Sequence, residues 1–425
     1  MSLALFLGVL LAAMALGMPV AFALLLAAVA LMAQLDFFDA QLVAQNMIAG
    51  ADSFPLMAVP FFLLAGELMN AGGLARRIVA LAVACVGHIR GGLGFVTIAA
   101  AVVLASLSGS ALADTAMLAA LLVPMMRTHG YPPAPAAGLV AAGGIIAPVI
   151  PPSMPLIILG VSTHLSISQL FLAGLAPGLL MGLALVLCWR WLARDLPVAP
   201  LPRTPSRQRL RMLADAAWAL ALPVIILGGL RGGVFTPTEA AVIAAVYALA
   251  VSLLVYRELN PAQLYGVFVR AAKTTALVMF LCAAAQVSSY MITLAELPQQ
   301  LGDNLAPLLA SPRLLMTAIV LLLLAVGMVM DLTPTILILA PVLLPLAQRA
   351  GIDPVYFGVM FVLVGSIGLI TPPVGTVLNV AAGVARVSLS DTVRGVAPFL
   401  LAYGVVLALL VAFPQLITTP ARWLH

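Results

Sequence analysis

Two double prolines interrupt apolar stretches of this chain, and their chemistry suits the binding of a cation. Pro151-Pro152 and Pro372-Pro373 each lie near the middle of a long apolar segment. Because proline has no N–H, it leaves the helical carbonyl four residues earlier without its usual donor. A hard cation such as Na⁺ prefers uncharged oxygen ligands, and carbonyls at broken membrane helices commonly supply them. The sequence therefore predicts two candidate cation sites.

Hydroxyl groups close to both breaks would complete the two oxygen cages. The freed carbonyls are those of Ala147, Pro148, Gly368 and Leu369, and the nearby hydroxyls are those of Ser106, Ser108, Ser110, Ser153, Thr333, Thr371 and Thr376. A purely structural alternative is that serine and threonine bond back to the preceding turn while proline only kinks the helix. Because the whole pattern occurs twice, it favours the cation sites.

Two acids, Asp114 and Asp331, lie inside apolar stretches. Acids buried in a membrane are costly, so their default interpretation is functional. Asp114 is equally open to a structural role as a helix N-cap, whereas Asp331 is expected to serve an ion or a proton.

Two further polar side chains have simpler expectations. Glu67, near the end of an apolar span, is expected to reach the membrane surface or to pair with Arg76 or Arg77. Asn379 lies four residues after Gly375, hence on the same helical face, and its amide suits a carboxylate ligand.

The second half of the chain repeats the first at an offset of 221 residues. The positions that match are the two double prolines, Pro124 with Pro345, Gly130 with Gly351, and Pro177 with Pro398. Shared prolines and glycines mean shared helix breaks. Breaks at corresponding positions of two halves are the best sequence indication of a transporter's binding site.

Composition places these features in a membrane. Of 425 residues 64% are hydrophobic and 8% are charged, whereas about a quarter are charged in a soluble domain. Many apolar runs of spanning length predict a polytopic α-helical protein. Cys85, Cys188 and Cys282 are too scattered for a disulfide framework or a metal cluster. Since no basic residue precedes Arg76, residues 2–16 are expected to be a retained span rather than a signal peptide.

We predict two inverted repeats, 1–192 and 215–425, joined by a cytoplasmic linker at 193–214. Each contains a re-entrant hairpin, at 91–127 and 313–348, because its two apolar arms are too short to cross a bilayer alone. Each hairpin precedes a span broken near its middle, at 134–163 and 355–386. The other predicted spans are 2–16, 19–33, 54–72, 169–192, 215–231, 237–256, 275–293 and 392–414, and 74–90 and 295–312 are expected to lie along the membrane surface.

The basic residues set the orientation. With the N-terminus outside, all but four of the 19 Lys and Arg residues face the cytoplasm, the exceptions being Arg231, Arg313, Arg349 and Arg422. Cytoplasmic loops carry an excess of Lys and Arg, so this orientation is favoured. It places both termini on the periplasmic side.

Missing motifs exclude several classes of enzyme. Lys273 is the only lysine and follows no glycine-rich loop, so the chain has no Walker A motif, and neither His-Glu-x-x-His nor Gly-x-Ser-x-Gly occurs. A secondary transporter, a channel without alternating access, and an intramembrane aspartyl protease that uses Asp114 and Asp331 stay open. The protease would leave the duplicated breaks without a purpose.

Five motifs carry a family resemblance over nearly the whole chain: PFFLLAGELM at 60–69, SGSALADTA at 108–116, IPPS at 150–153, MDLTP at 330–334 and TPPVG at 371–375. With them the chain resembles the large membrane subunit of tripartite ATP-independent periplasmic (TRAP) transporters. The resemblance implies an elevator-type, sodium-driven importer of the ion-transporter superfamily in the bacterial inner membrane. A stand-alone sodium/organic-anion symporter of the same fold is the alternative.

The resemblance also implies partners and site residues. The implied partners are a small four-helix membrane subunit and a periplasmic substrate-binding protein, and the implied substrates are organic acids such as C4-dicarboxylates, sialic acid and other sugar acids. No cofactor is expected besides coupling sodium ions. The first sodium site maps to Ser106, Ser108, Gly109, Ser110, Pro151 and Ser153, and the second to Gly327, Asp331, Thr333, Gly368, Thr371 and Pro372. The expected substrate contacts are Asp114, Pro152, Gly375, Thr376 and Asn379.

The predicted orientation is testable by labelling. Single cysteines at Ser206 and Thr419, introduced into a cysteine-free background, should react with a membrane-impermeant thiol reagent from opposite sides of the membrane, because one lies in the linker and the other near the C-terminus. Equal labelling of both from outside contradicts the inverted-repeat layout.

Overall fold

The protein is described by a computed structural model that covers residues 2–297, 299, 309 and 311–424. Within these residues all regular structure is helical. Most of the predicted connector 295–312 lies outside the described residues. The helices of the first half are α1 Ser2–Ala15, α2 Val20–Gln34, α3 Ala40–Ala51, α4 Ala58–Ala71 (after a 3₁₀ turn at Phe54–Met57), α5 Leu74–Val86, α6 Gly92–Ser108, α7 Ala111–Thr128, α8 Pro133–Gly144, α9 Met154–Thr163 and α10 Ile167–Leu192.

The second half contains the corresponding series. Its helices are α11 Ser206–Arg231, α12 Pro237–Ala250 (continued by a π turn at Val251–Val255), α13 Pro261–Leu294, α14 Pro312–Gly327, α15 Leu332–Arg349, α16 Pro354–Gly368, α17 Thr376–Ala385, α18 Leu389–Ala412 and α19 Gln415–Leu424. Helices α7 and α15 have the same length of 18 residues. Their starts and ends are separated by the repeat offset read from the sequence.

Both halves contain a helical hairpin followed by a broken helix, as the sequence predicts, so the fold class is confirmed. In the first half α6 reverses into α7 through Gly109, whose φ of +62° lies in the left-handed region that favours glycine. The side chain of Ser110 then caps α7 by accepting from the Ala113 N–H. The α8–α9 and α16–α17 pairs are separated by the two double prolines. Eight helical segments among the described residues are long and apolar enough to span a membrane.

The helices pack as two groups. Helices α1–α5 and α11–α13 contact one another and form what we call the frame, whereas α6–α10 and α14–α19 form the hairpin body. The two groups meet mainly where α4 and α5 contact α6 and where α13 contacts α15.

Inside the hairpin body the two halves interlock. Helix α7 of the first hairpin packs on α17, the second part of the other half's broken helix, and α15 of the second hairpin packs on α9. Each hairpin therefore touches the broken helices of both halves.

The structure differs from the expected helix limits in three places. The span predicted at 275–293 is part of a longer continuous helix of 34 residues, α13. In the first half the matching segment is interrupted between α3 and α4, because Pro55 has no N–H to continue the backbone hydrogen bonds of α3. Helix α11 begins at Ser206, inside the segment predicted as a linker, and α19 adds a terminal helix that the sequence reasoning missed.

Small residues allow the closest helix contacts. A Cβ added to Gly327 of α14 would lie 2.9 Å from the Gly368 Cα, and a Cβ at Gly368 would lie 2.7 Å from the Gly327 Cα. Association of membrane helices relies on such close backbone approach, since lipid is as apolar as the side chains.

Gly327→Ala should therefore push the second hairpin away from its broken helix. Overpacking of this kind costs about 1–3 kcal/mol, so the purified variant should unfold at a lower temperature in detergent. Gly404→Ala is the matched control, because a Cβ at Gly404 meets nothing within 4 Å. Equal midpoints for the two variants would contradict the packing described here.

Candidate functional site

The two hairpin tips meet at one cavity in the hairpin body. Its lining includes Ser110 of the first tip, Asp331 and Thr333 of the second, and Pro148 and Leu369 from the two breaks. We call it the tip cavity. Residues predicted for both sodium sites are thus brought together from segments about 220 residues apart in sequence.

The first hairpin packs directly against the first break. A Cβ on Gly109 would lie 2.8 Å from the Pro152 carbonyl oxygen and 3.0 Å from the Met154 nitrogen, so only glycine fits this approach. Ser153 is buried, and its hydroxyl donates to the Pro148 carbonyl. Ser106 donates to the Val103 carbonyl at 2.6 Å.

The second hairpin contacts the second break through a backbone hydrogen bond. The Gly375 N–H donates to the Met328 carbonyl at the tip, at 3.1 Å. Thr371 donates its hydroxyl to the Ile367 carbonyl at 2.8 Å, which leaves the oxygen lone pairs unused. The buried hydroxyl oxygen of Thr376 has no hydrogen-bond partner among the described residues.

The carbonyls freed by the prolines are only partly free. Pro148 O accepts from Ser153, Gly368 O from the Thr371 N–H, and Leu369 O from the Val377 N–H. Each carbonyl has two lone pairs, so each keeps one acceptor position for a cation.

Asp114 is not the N-cap that one interpretation allowed, because Ser110 occupies that position of α7. Its side chain is buried, and Oδ1 accepts from the Ser108 hydroxyl. Among the described residues Oδ2 has no partner. An unpaired carboxylate oxygen at this depth calls for a cation or a donor from a ligand.

Asp331 and Asn379 stand in different surroundings. Asp331 occupies the N-cap position of α15, but its side chain makes no capping hydrogen bond, so its carboxylate is available to the tip cavity. Asn379 is exposed and donates to the Val374 carbonyl at 3.2 Å.

A second cavity lies between the first hairpin and the frame. Its polar lining includes Ser108 and Asp114 of the hairpin, Glu67 and Asn70 of α4, and Thr274 of α13. We call it the frame cavity. The frame cavity extends from the first hairpin to the start of α5, since Ala75 also lines it.

The expected pairing of Glu67 is wrong. Arg270 Nε donates to Glu67 Oε2 at 2.8 Å, while Arg76 and Arg77 both donate to Glu258. The reason lies in the packing of the helices: α4 lies against α13, whereas Glu258 lies close to Gly73, just before α5.

Arg127 is a contact that the sequence reasoning missed. This residue in the last turn of α7 donates to the carbonyls of Ala385, at 2.5 Å, and Arg386, at 3.2 Å, where α17 ends. A cation is favourable at a helix C-terminus. Arg127 therefore ties the first hairpin to the broken helix of the second half, over a sequence distance that no local pattern reveals.

Comparison with known proteins decides the family. The family model for the DctM component of the tripartite ATP-independent periplasmic transporter matches residues 7–416. The chain belongs to this family. It is therefore the large permease subunit of a TRAP transporter, a multi-pass membrane protein, as its motifs suggested.

Curated relatives of this large permease have several substrates in their names. The chain is 56% identical over 425 residues, all of both chains, to the 2,3-diketo-L-gulonate TRAP transporter large permease protein YiaN of Escherichia coli. It is 40% identical to the sialic acid permease SiaM of Vibrio cholerae, covering 94% of this chain and 93% of SiaM. It is 38% identical to the C4-dicarboxylate permease DctM of Pseudomonas aeruginosa, covering 90% and 89%.

A solved structure shares the fold. The YdaH transporter of Alcanivorax borkumensis, described as having an unusual topology, superposes with a TM-score of 0.65 at 18% sequence identity, over 88% of each chain. This likeness concerns the fold alone.

The two predicted ion sites are tested by removing one hydroxyl from each. Ser108→Ala and Thr371→Val should keep fold and partner binding but need more sodium for half-maximal uptake. One lost ligand oxygen is worth about 1.5–3 kcal/mol by analogy with hydrogen bonds to charged groups, hence roughly 10- to 150-fold in apparent sodium affinity.

Thr392→Val is the matched control. Thr392 is buried in α18 and, like Thr371, donates its hydroxyl to the carbonyl four residues earlier, that of Ser388 at 3.0 Å, but it lies away from both breaks. Unchanged sodium dependence in Ser108→Ala and Thr371→Val at normal expression would make these hydroxyls structural.

Proposed function

We propose that this large permease imports an organic acid driven by sodium, receiving it from a periplasmic binding protein. The observation that carries the proposal is the convergence of three helix N-termini on the tip cavity. Ala111, Met154 and Leu332 begin α7, α9 and α15, and all three line it. Helix N-termini attract anions through their free N–H groups and dipoles.

The same cavity offers oxygen atoms for the coupling cations. Pro148 and Leu369 follow the C-terminal ends of α8 and α16 and line the cavity beside Asp331. Among the described lining residues there is no lysine or arginine. A bound carboxylate would be balanced by sodium ions and helix dipoles rather than by a fixed cation, which makes anion binding depend on sodium.

The packing supports an elevator mechanism. All residues predicted for ion or substrate binding belong to the interlocked hairpin body, and that body meets the frame along a limited set of helices. Movement of the hairpin body as one unit would carry ions and substrate together. The frame cavity would give access from one side in the present arrangement.

The substrate class follows from relatives rather than from geometry. Identity of 56% over the full length of the diketogulonate permease favours a sugar acid over a C4-dicarboxylate. The small membrane subunit and the binding protein are proposed as partners on the same ground. We place the chain in the bacterial inner membrane with both termini on the periplasmic side.

Reconstitution tests the proposal. The chain alone in liposomes should transport poorly, whereas addition of the small subunit and the loaded binding protein encoded with it should restore uptake. Uptake should require inward sodium and should increase with an inside-negative potential, because each net positive charge moved through 100 mV is worth about 2.3 kcal/mol. Strong uptake by the chain alone would instead identify a stand-alone sodium/organic-anion symporter.

A further inference from the structure

One ion pair stands at the edge of the frame cavity. Arg270 of α13 donates from Nε to Oε2 of Glu67 on α4 at 2.8 Å, and Glu67 lines the cavity. The two side chains are 56% and 31% exposed. Thr274 lies one turn further along α13 and also lines the cavity, so the guanidinium of Arg270 is at its rim.

Arg270 has donors to spare. Its only hydrogen bond among the described residues uses Nε. Both terminal nitrogens therefore remain available, and the planar guanidinium suits a carboxylate with two parallel bonds. Gly266, one turn earlier, puts no side chain over the guanidinium; a Cβ there would be in van der Waals contact with Arg270 Nη1, at 3.4 Å.

The charge of the residues that line the frame cavity shows what Arg270 adds to it. Its two ionisable lining residues among those described are acids, Glu67 and Asp114, and neither offers a positive charge to an organic anion. Arg270 offsets Glu67 and places a positive charge at the rim of the cavity. Because α4 and α13 pack together within the frame, this charge stays in place when the hairpin body moves.

We propose that Arg270 is a carboxylate-binding site at the mouth of the frame cavity, where a carboxylate displaces Glu67 from the arginine. The site holds an anion on its way between the tip cavity and water, and competition from Glu67 keeps the binding weak. That the anion is the transported acid rests on the proposed function; the binding itself does not.

The test measures protection of a cysteine beside the site. Thr274→Cys, in a background without the three native cysteines, is labelled by the neutral reagent N-ethylmaleimide in the purified full chain. Sodium gluconate and sodium succinate are titrated against sodium chloride at constant ionic strength. Both organic acids should slow labelling, because a carboxylate on Arg270 covers the neighbouring turn.

Three further variants identify the binding group. Arg270→Gln should raise the half-protecting concentration about fivefold, as expected for the loss of an exposed ion pair. Glu67→Gln should lower it, because the competing carboxylate is gone. Lys273→Gln is the matched control: it removes a cation from the same helix one turn from Arg270, but residue 273 lies about 160° around the helix from Ala271 and about 100° from Thr274, the two α13 residues that line the cavity.

The outcomes are decisive in both directions. Protection that persists unchanged in Arg270→Gln, or that falls equally in Lys273→Gln, overturns the site, and an unaltered Glu67→Gln overturns the competition. Protection needs no sodium gradient and no partner. A failure here therefore leaves the reconstituted uptake unaffected, and a failure of uptake leaves the protection result standing.

Discussion

The structure depends on one constraint: at membrane depth every backbone polar group needs a partner within the protein. The double prolines interrupt the hydrogen bonding of two helices; Ser153, Thr371 and Val377 satisfy part of what is lost, and the hairpins pack over both breaks. Gly109 lies against the backbone of the first break, and Met328 O accepts from Gly375 at the second. The oxygen atoms that remain only half used are the ones that suit a cation.

Interlocking of the halves makes the two breaks parts of one unit. Helix α7 packs on α17 and α15 on α9, so neither hairpin can shift without disturbing the broken helix of the other half. Arg127, bonded to the end of α17, adds a polar link to this contact. The halves are nevertheless unequal. The first break is buried, whereas Pro373 and Val374 of the second are exposed, so the second is the more accessible to ligands and solvent.

The frame is held differently from the hairpin body. Its charged contacts join elements far apart in the chain: Glu258 accepts from Arg76 and Arg77, and Glu67 accepts from Arg270. These pairs are partly exposed, and such pairs add little stability. Their value lies in position, since they fix the charge at one end of the frame and along the rim of the cavity. The tip cavity, in contrast, is lined by the N-terminal ends of helices and has no basic lining residue among those described.

The sequence by itself determined the membrane class, the repeat, the hairpins, the breaks and the family, because proline, glycine and apolar runs act locally wherever they occur. It also indicated that the oxygen-bearing residues near the two breaks form a set. Tertiary structure decided which residues meet. Asp114 is a buried acid that accepts a hydrogen bond from Ser108 instead of capping α7, and Arg127 donates to a carbonyl at the end of α17. Glu67 found Arg270 rather than its neighbours in sequence. The contacts of Arg127 and Glu67 join residues 258 and 203 positions apart in the sequence. They depend on how helices of the two halves pack against one another, which no local pattern determines.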